Sequence, residues 1–270
     1  MRRIKKELGS KKKNFILKYG IVIGILLFFI DAFSILFLGN YIDLSVFSNF
    51  MNILISFNVV VMSFFCYHFI FKKSTPEKKF FLFLFIALCF KFLGEILWAY
   101  YDLSVPLMPA FSFADLAWFM SNLIILAGFE YKLHKTHFPH RKITATVFTV
   151  VLVLLSAFFV YGVYLKLLTL ESGAWFSYLV NQSYVLFDFF ILILLTTPLY
   201  TSISSSEKSF KFYFFMALGF LAFIIYDFLF AEMFLRGIYS SAGKIEILYF
   251  FSYLLLYLAF YFKIKNGNKK

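Results

Sequence analysis

The sequence predicts an all-α integral membrane protein of eight transmembrane helices, built as two parallel four-helix repeats. Three observations carry that reading. Hydrophobic residues make up 62% of the chain and charged residues only 15%, a balance that, with a mean hydropathy of +0.85, excludes an ordinary soluble domain. The apolar residues fall in runs of the length a helix needs to cross a bilayer, about 20 residues. The chain also matches itself at an offset of 130 residues.

The runs cover 15–38, 47–71, 80–101, 112–131, 143–166, 175–198, 210–235 and 246–263. None shows the ten-residue alternation of a barrel strand. The first run follows a basic tail, as in a secretory signal, but it is too long and lacks a small-residue cleavage site, so it reads as a retained helix. Pro106 and Pro109 precede the fourth run, and Pro198 sits at the end of the sixth, where proline ends helices. Gly20 and Gly24, four apart, permit close approach of the first helix to a neighbour. Cys66 and Cys89 fall within runs and read as free thiols.

The repeat places Glu77, Lys78, Phe80, Phe85, Ala87, Leu88 and Phe90 on identical residues at 207, 208, 210, 215, 217, 218 and 220. After one gapped residue, Asp115 meets Glu246 and Trp118 meets Tyr249. Internal repetition sets architecture before other signals. The expected organisation is a basic tail 1–14, a repeat 15–131, a loop 132–142, a second repeat 143–263 and a tail 264–270. Four spans per half is an even number, so the halves share one orientation about an axis near the membrane normal.

The net charge of +12 suggests nucleic acid until the charges are placed. Twenty-two of the 26 basic residues lie in the two tails, in the loops after spans two, four and six, or at the span ends that adjoin them. The positive-inside rule then places both termini in the cytoplasm of a multi-pass cell-membrane protein. The aromatic residues lie in spans rather than among these basic residues, which excludes nucleic acid. Membrane lipids are the expected surroundings.

Ionisable groups inside spans are costly and mark function by default. At about 1.5 Å per residue, Asp31, Glu95 and Asp227 fall in the outer third. Lys91, Asn58 and Asn122 fall near mid-depth, Asn52, Asn181 and Gln182 in the outer half, and Asp188 deeper. Lys91, Glu95, Trp98 and Asp102 share one face of span three. Asp115, Trp118 and Asn122 form a second stripe, and Glu246, Tyr249, Tyr253 and Tyr257 a third. These stripes predict an outward-opening polar pocket between the halves, with ligand-binding candidates Lys91, Glu95, Trp98, Asp115, Asn122, Asp227, Glu246 and Tyr253. Plainer roles stand beside this one. Lys91 and Glu95 at i, i+4 are spaced to neutralise each other, and Asp115 and Glu246 are placed as first-turn acids. In either case Lys91 is expected within ion-pair reach of a carboxylate.

His134, His137 and His140 form an H-x-x-H-x-x-H run, but Pro139 and four basic residues around it argue against a metal site. No nucleotide, hydrolase-elbow or zinc-protease signature is present, so no cofactor and no metal are expected.

The stretch GEILWAYYDLSVPLMPAFSFADLAWFMSNLIILAGF resembles the N-terminal membrane module of prokaryotic diguanylate cyclases and sensor kinases. Gly94, Glu95, Trp98, Pro109, Ser112 and Asp115 match its pattern, with Glu95 where aspartate is more usual. Asp227, Gly237, Tyr239, Gly243 and Glu246 follow it in the second half. This resemblance implies a sensing module whose output passes to a separate cytoplasmic or membrane signalling partner. GEIL at 94–97 and YDFLFA at 226–231 are similar, more weakly, to the eight-spanning lysoplasmalogenases. That family's histidine and tyrosine in the fourth span are replaced here by Asn122 and Leu126.

Three readings stay open. The first is a non-enzymatic ligand-sensing module. The second is an intramembrane lipid hydrolase, in which Glu95 and Asp227 share acid and base work on water. The third is a small-solute transporter, a class that also uses parallel repeats.

Overall fold

The computed structural model describes residues 2–37, 44–70, 75–105, 109, 111–135, 150, 157, 175–204, 209–241 and 243–266. Within these residues it is all helical. The helices are α1 (Arg2–Phe37), α2 (Leu44–Phe65), α3 (Pro76–Ser104), α4 (Phe113–Lys135), α5 (Trp175–Ser204), α6 (Phe210–Leu235) and α7 (Glu246–Asn266), with a π-helical turn, Cys66–Ile70, extending α2. All seven are long and apolar enough to cross a membrane. Large hydrophobic side chains such as Val22, Leu26, Phe29, Phe33 and Phe113 lie more than half exposed. Water would not tolerate so much apolar surface, whereas lipid does. The chain is a multi-pass membrane protein.

The predicted runs fall on these helices with small changes at the edges. The run 143–166 lies outside the described residues except 150 and 157, so the eight-helix count is not among the observations. The helix beginning in the basic tail reaches back to Arg2. Pro198 does not end its helix as expected: α5 continues through it to Ser204. The missing N–H of a proline costs one hydrogen bond, here six residues before the helix ends.

Local chemistry explains the helix starts. Thr75 caps α3 by accepting the Lys78 N–H at 3.1 Å, with Pro76 at the first helical position, where its lost donor costs nothing. Before α4, the Asp115 carboxylate accepts the Ser112 N–H and hydroxyl, both at 2.6 Å, and the Asp115 N–H donates to Ser112 Oγ at 3.2 Å. This is a reciprocal capping box.

Helices α2 to α7 pack in chain order, and α2 meets α7 to close a ring; α1 lies outside against α2 and α7. Gly20 is what lets α1 approach, since a Cβ there would run into the Tyr257 hydroxyl. The core near the basic end is a block of phenylalanines. Phe80 and Phe129 meet edge to face at 5.0 Å, and Phe212 packs against Phe81 at 5.3 Å and Phe260 at 5.8 Å. Lys263 closes that end by donating to Glu77 Oε1 at 2.5 Å and Ser209 Oγ at 2.9 Å, which joins α7, α3 and the start of α6. Cys66 and Cys89 are not joined in a disulfide, and the Cys66 thiol donates to the Phe260 carbonyl at 3.7 Å.

Candidate functional site

One face of each ring helix carries polar groups toward the interior, and they surround a cavity. It encloses about 540 Å³ of non-atom space, open solvent at its mouth included. Its wall takes Asn52 from α2, Lys91, Glu95 and Trp98 from α3, and Trp118 and Asn122 from α4; Tyr184 comes from α5, Tyr226, Asp227 and Phe230 from α6, and Glu246 and Tyr249 from α7.

Glu95 is the best-held carboxylate. Its Oε1 accepts from Tyr249 at 2.5 Å, Tyr253 at 2.5 Å and the Trp118 indole at 3.2 Å. The residue before it makes this possible. A Cβ on Gly94 would collide with the Trp118 indole, so glycine lets that ring lie on the α3 backbone beside Glu95. Three donors on one oxygen fix the rotation of the carboxyl group.

Glu246 has a matching environment. Its Oε1 accepts from Tyr226 at 2.8 Å and Tyr239 at 3.0 Å, and its Oε2 accepts from Asn52 Nδ2 at 3.3 Å. Tyr239 lies in the connection between α6 and α7, where burial and the adjacent Glu246 push its phenol well above the usual tyrosine range. It therefore acts as a permanent donor.

Asp227 lines the cavity, and Asp188 of α5 stands fully buried beside it. Among the described residues neither Asp188 oxygen meets an N–H or O–H donor.

The candidates named from the sequence are distributed as follows. Lys91, Glu95, Trp98, Asn122, Asp227 and Glu246 share the cavity wall. Tyr253 stands behind it, holding Glu95. Asp115 lines a smaller adjoining space of about 290 Å³, formed with Pro109, Ser112, Ser177, Asn181 and Phe234. Trp98 and Phe230 line both spaces. Asp115 is largely occupied by its capping box and by the Tyr184 hydroxyl at 2.5 Å. Asp102 leaves the span-three stripe to accept from Asn49 at 2.6 Å. Asp31 is buried on α1, away from the cavity wall.

Lys91 departs from expectation. Among the described residues no carboxylate lies within ion-pair distance of it. Its ammonium sits 4.2 Å above the Phe223 ring, with Glu95, Asp188 and Asp227 acting on it from further away. The i, i+4 spacing brings Lys91 and Glu95 to one face, but the hydrogen bonds from Tyr249, Tyr253 and Trp118 hold the carboxylate instead.

Sequence reasoning missed Tyr184, Tyr226 and Phe230 as wall residues, and it left Asp188 out of the site. An isolated acid deep in a span was the available signal for Asp188. Tyr184, one turn before it, was the signal for the second face. His137 and His140 lie outside the described residues, while His134 sits 3.7 Å from Glu130 on the same exposed turn. Among the described residues no group of three His, Cys, Asp or Glu side chains is placed to hold a metal.

Fold and site together define a helical membrane protein with a polar cavity inside its ring. Comparison with family models, characterised proteins and solved structures finds no match to this chain.

Proposed function

We propose that this chain is a ligand-binding membrane module whose working part is the cavity at Glu95. The observation that carries the reading is the convergence of six helices on one space, with two carboxylates each fixed by three donors. Structural acids in a membrane neutralise one another or leave for the interface. Glu95 and Glu246 are instead held in place at the wall of a shared cavity. The motif at 94–115, similar to that of membrane sensor modules, supports a sensing role with output through a separate partner. We further propose that the chain is two fused four-helix halves with both termini cytoplasmic, on the strength of the 130-residue offset and the distribution of basic residues.

The experiment is native mass spectrometry of the full chain extracted from its own membrane, with Glu95→Gln alongside. A small molecule that travels with the wild type and is lost from the variant is the expected result. A wild type that carries nothing beyond bulk lipid would count against the module reading.

A hydrolase is favoured by one separate observation: Glu95 and Asp227 line the same cavity, as acid and base on one water require. Release of product from a lysolipid by the wild type, abolished in both Glu95→Gln and Asp227→Asn, would establish that reading.

A further inference from the structure

We propose that the cavity at Glu95 takes a protonated amine, a ligand with a cationic nitrogen that still carries N–H groups; this deepens the ligand-binding reading and rests on it. Three features of the wall carry the inference.

The first is a continuous aromatic surface. Ring centroids step from Tyr184 to Trp118 at 5.9 Å, to Trp98 at 5.6 Å, to Phe230 at 5.9 Å, to Tyr226 at 6.0 Å and to Tyr249 at 4.4 Å. All six rings line the cavity. Four of them have polar handles already spent on acids: Tyr184 on Asp115, Trp118 and Tyr249 on Glu95, and Tyr226 on Glu246. What those rings have left to offer a ligand is π-surface, which attracts cations.

The second feature is charge. Glu95, Asp227 and Glu246 face the cavity against a single lysine. The Lys91 ammonium lies over Phe223, a ring outside the wall. Asp188 stands fully buried behind the three acids and adds a fourth acidic side chain to that side of the ring. An anion entering here would meet three acidic side chains with one lysine to offset them. A cationic ligand is the one whose charge these acids attract.

The third feature selects among cations. The carbonyl oxygens of Asn52 and Asn122 are buried and have no donor among the described residues. The Asn52 amide is oriented by its donation to Glu246 Oε2, which fixes Oδ1 as the free acceptor. A buried acceptor without a donor costs about 1–3 kcal/mol. An ammonium bearing N–H groups satisfies such acceptors, whereas a quaternary ammonium cannot.

The amine has two sources, a soluble molecule or a lipid headgroup, and the test separates them. The full chain in dodecyl maltoside micelles is titrated with n-butylammonium, tetramethylammonium, n-butyrate and n-butanol, with Kd read by calorimetry and the unfolding midpoint recorded. The expected result is a saturable rise in midpoint with n-butylammonium. Tetramethylammonium should bind about tenfold more weakly or worse, and Glu95→Gln should weaken n-butylammonium by about tenfold or more. If Glu95→Gln does not fold, Trp98→Leu must weaken n-butylammonium, since it removes one ring of the wall. Displacement of n-butylammonium by lysophosphatidylethanolamine assigns a headgroup; failure to displace assigns a soluble amine. Binding of n-butyrate or n-butanol as tight as n-butylammonium, and lost in Glu95→Gln, overturns the amine assignment and leaves the pocket. Equal binding of tetramethylammonium overturns the N–H requirement. Absence of binding by every probe to the wild type overturns both the assignment and the pocket.

Discussion

The Tyr249 hydroxyl donates to Glu95 Oε1 at 2.5 Å, and 154 residues of chain separate the two. That bond ties α7 to α3 across the ring and fixes the rotation of the carboxylate at the cavity wall. A hydrogen bond contributes about 0.5–1.5 kcal/mol net. Tyr249→Phe should therefore lower stability by about 1 kcal/mol, because Tyr253 and Trp118 remain on the same oxygen. Unfolding in micelles measures it. An unchanged unfolding midpoint would mean that the bond does no work.

Gly94 makes a sharper test, because propensity and packing pull in opposite directions. Alanine in a helix is about 1 kcal/mol better than glycine by propensity. At position 94 its Cβ meets the Trp118 indole. Gly94→Ala should destabilise the protein and shift its tryptophan emission, because Trp118 must leave Glu95. A stabilised Gly94→Ala variant with unchanged emission would show that the indole does not rest on the α3 backbone.

Lys91 and Asp188 are coupled without touching. Lys91→Met and Asp188→Asn should each destabilise, and the double variant should be less destabilised than the two effects added, by about 1 kcal/mol. The reason is that Asp188, Asp227 and Glu95 supply the field around Lys91, so removing either charge makes the other less needed. Additive effects would place the lysine's stabilisation entirely on Phe223.

Topology is tested by labelling. A cysteine at Ser240, exposed in the α6–α7 connection, should react with an impermeant thiol reagent applied to intact cells. A cysteine at Lys135, exposed at the opposite end of the bundle, should react only after permeabilisation. The reverse pattern would invert the orientation that the basic loops imply.

Much of the site was legible in the sequence because helix periodicity is geometric. Positions 91, 95 and 98 must share a face of α3, and a polar face within an apolar run must turn inward. The same periodicity put Asp102 on that stripe, yet Asp102 belongs to Asn49, because a partner on another helix is not a periodic quantity. The Lys91–Glu95 pair failed for a related reason. Spacing gives proximity, but Tyr249 and Tyr253 from a helix 154 and 158 residues away hold the carboxylate.

The sequence by itself determined that this chain crosses a membrane, where most of its helices lie, and which residues are too polar to face lipid. Those properties follow from local composition and the cost of burying charge. Tertiary structure alone decided that α2 closes the ring against α7 and that Tyr184, Tyr226 and Phe230 join the two tryptophans in one aromatic wall. It also decided that Asp188 stands behind Asp227 and that Glu95 takes its donors from α4 and α7. Each of those depends on which faces of distant helices meet. That is set by the fit of side chains such as Trp118 over Gly94 and Tyr257 over Gly20, and no local pattern records it.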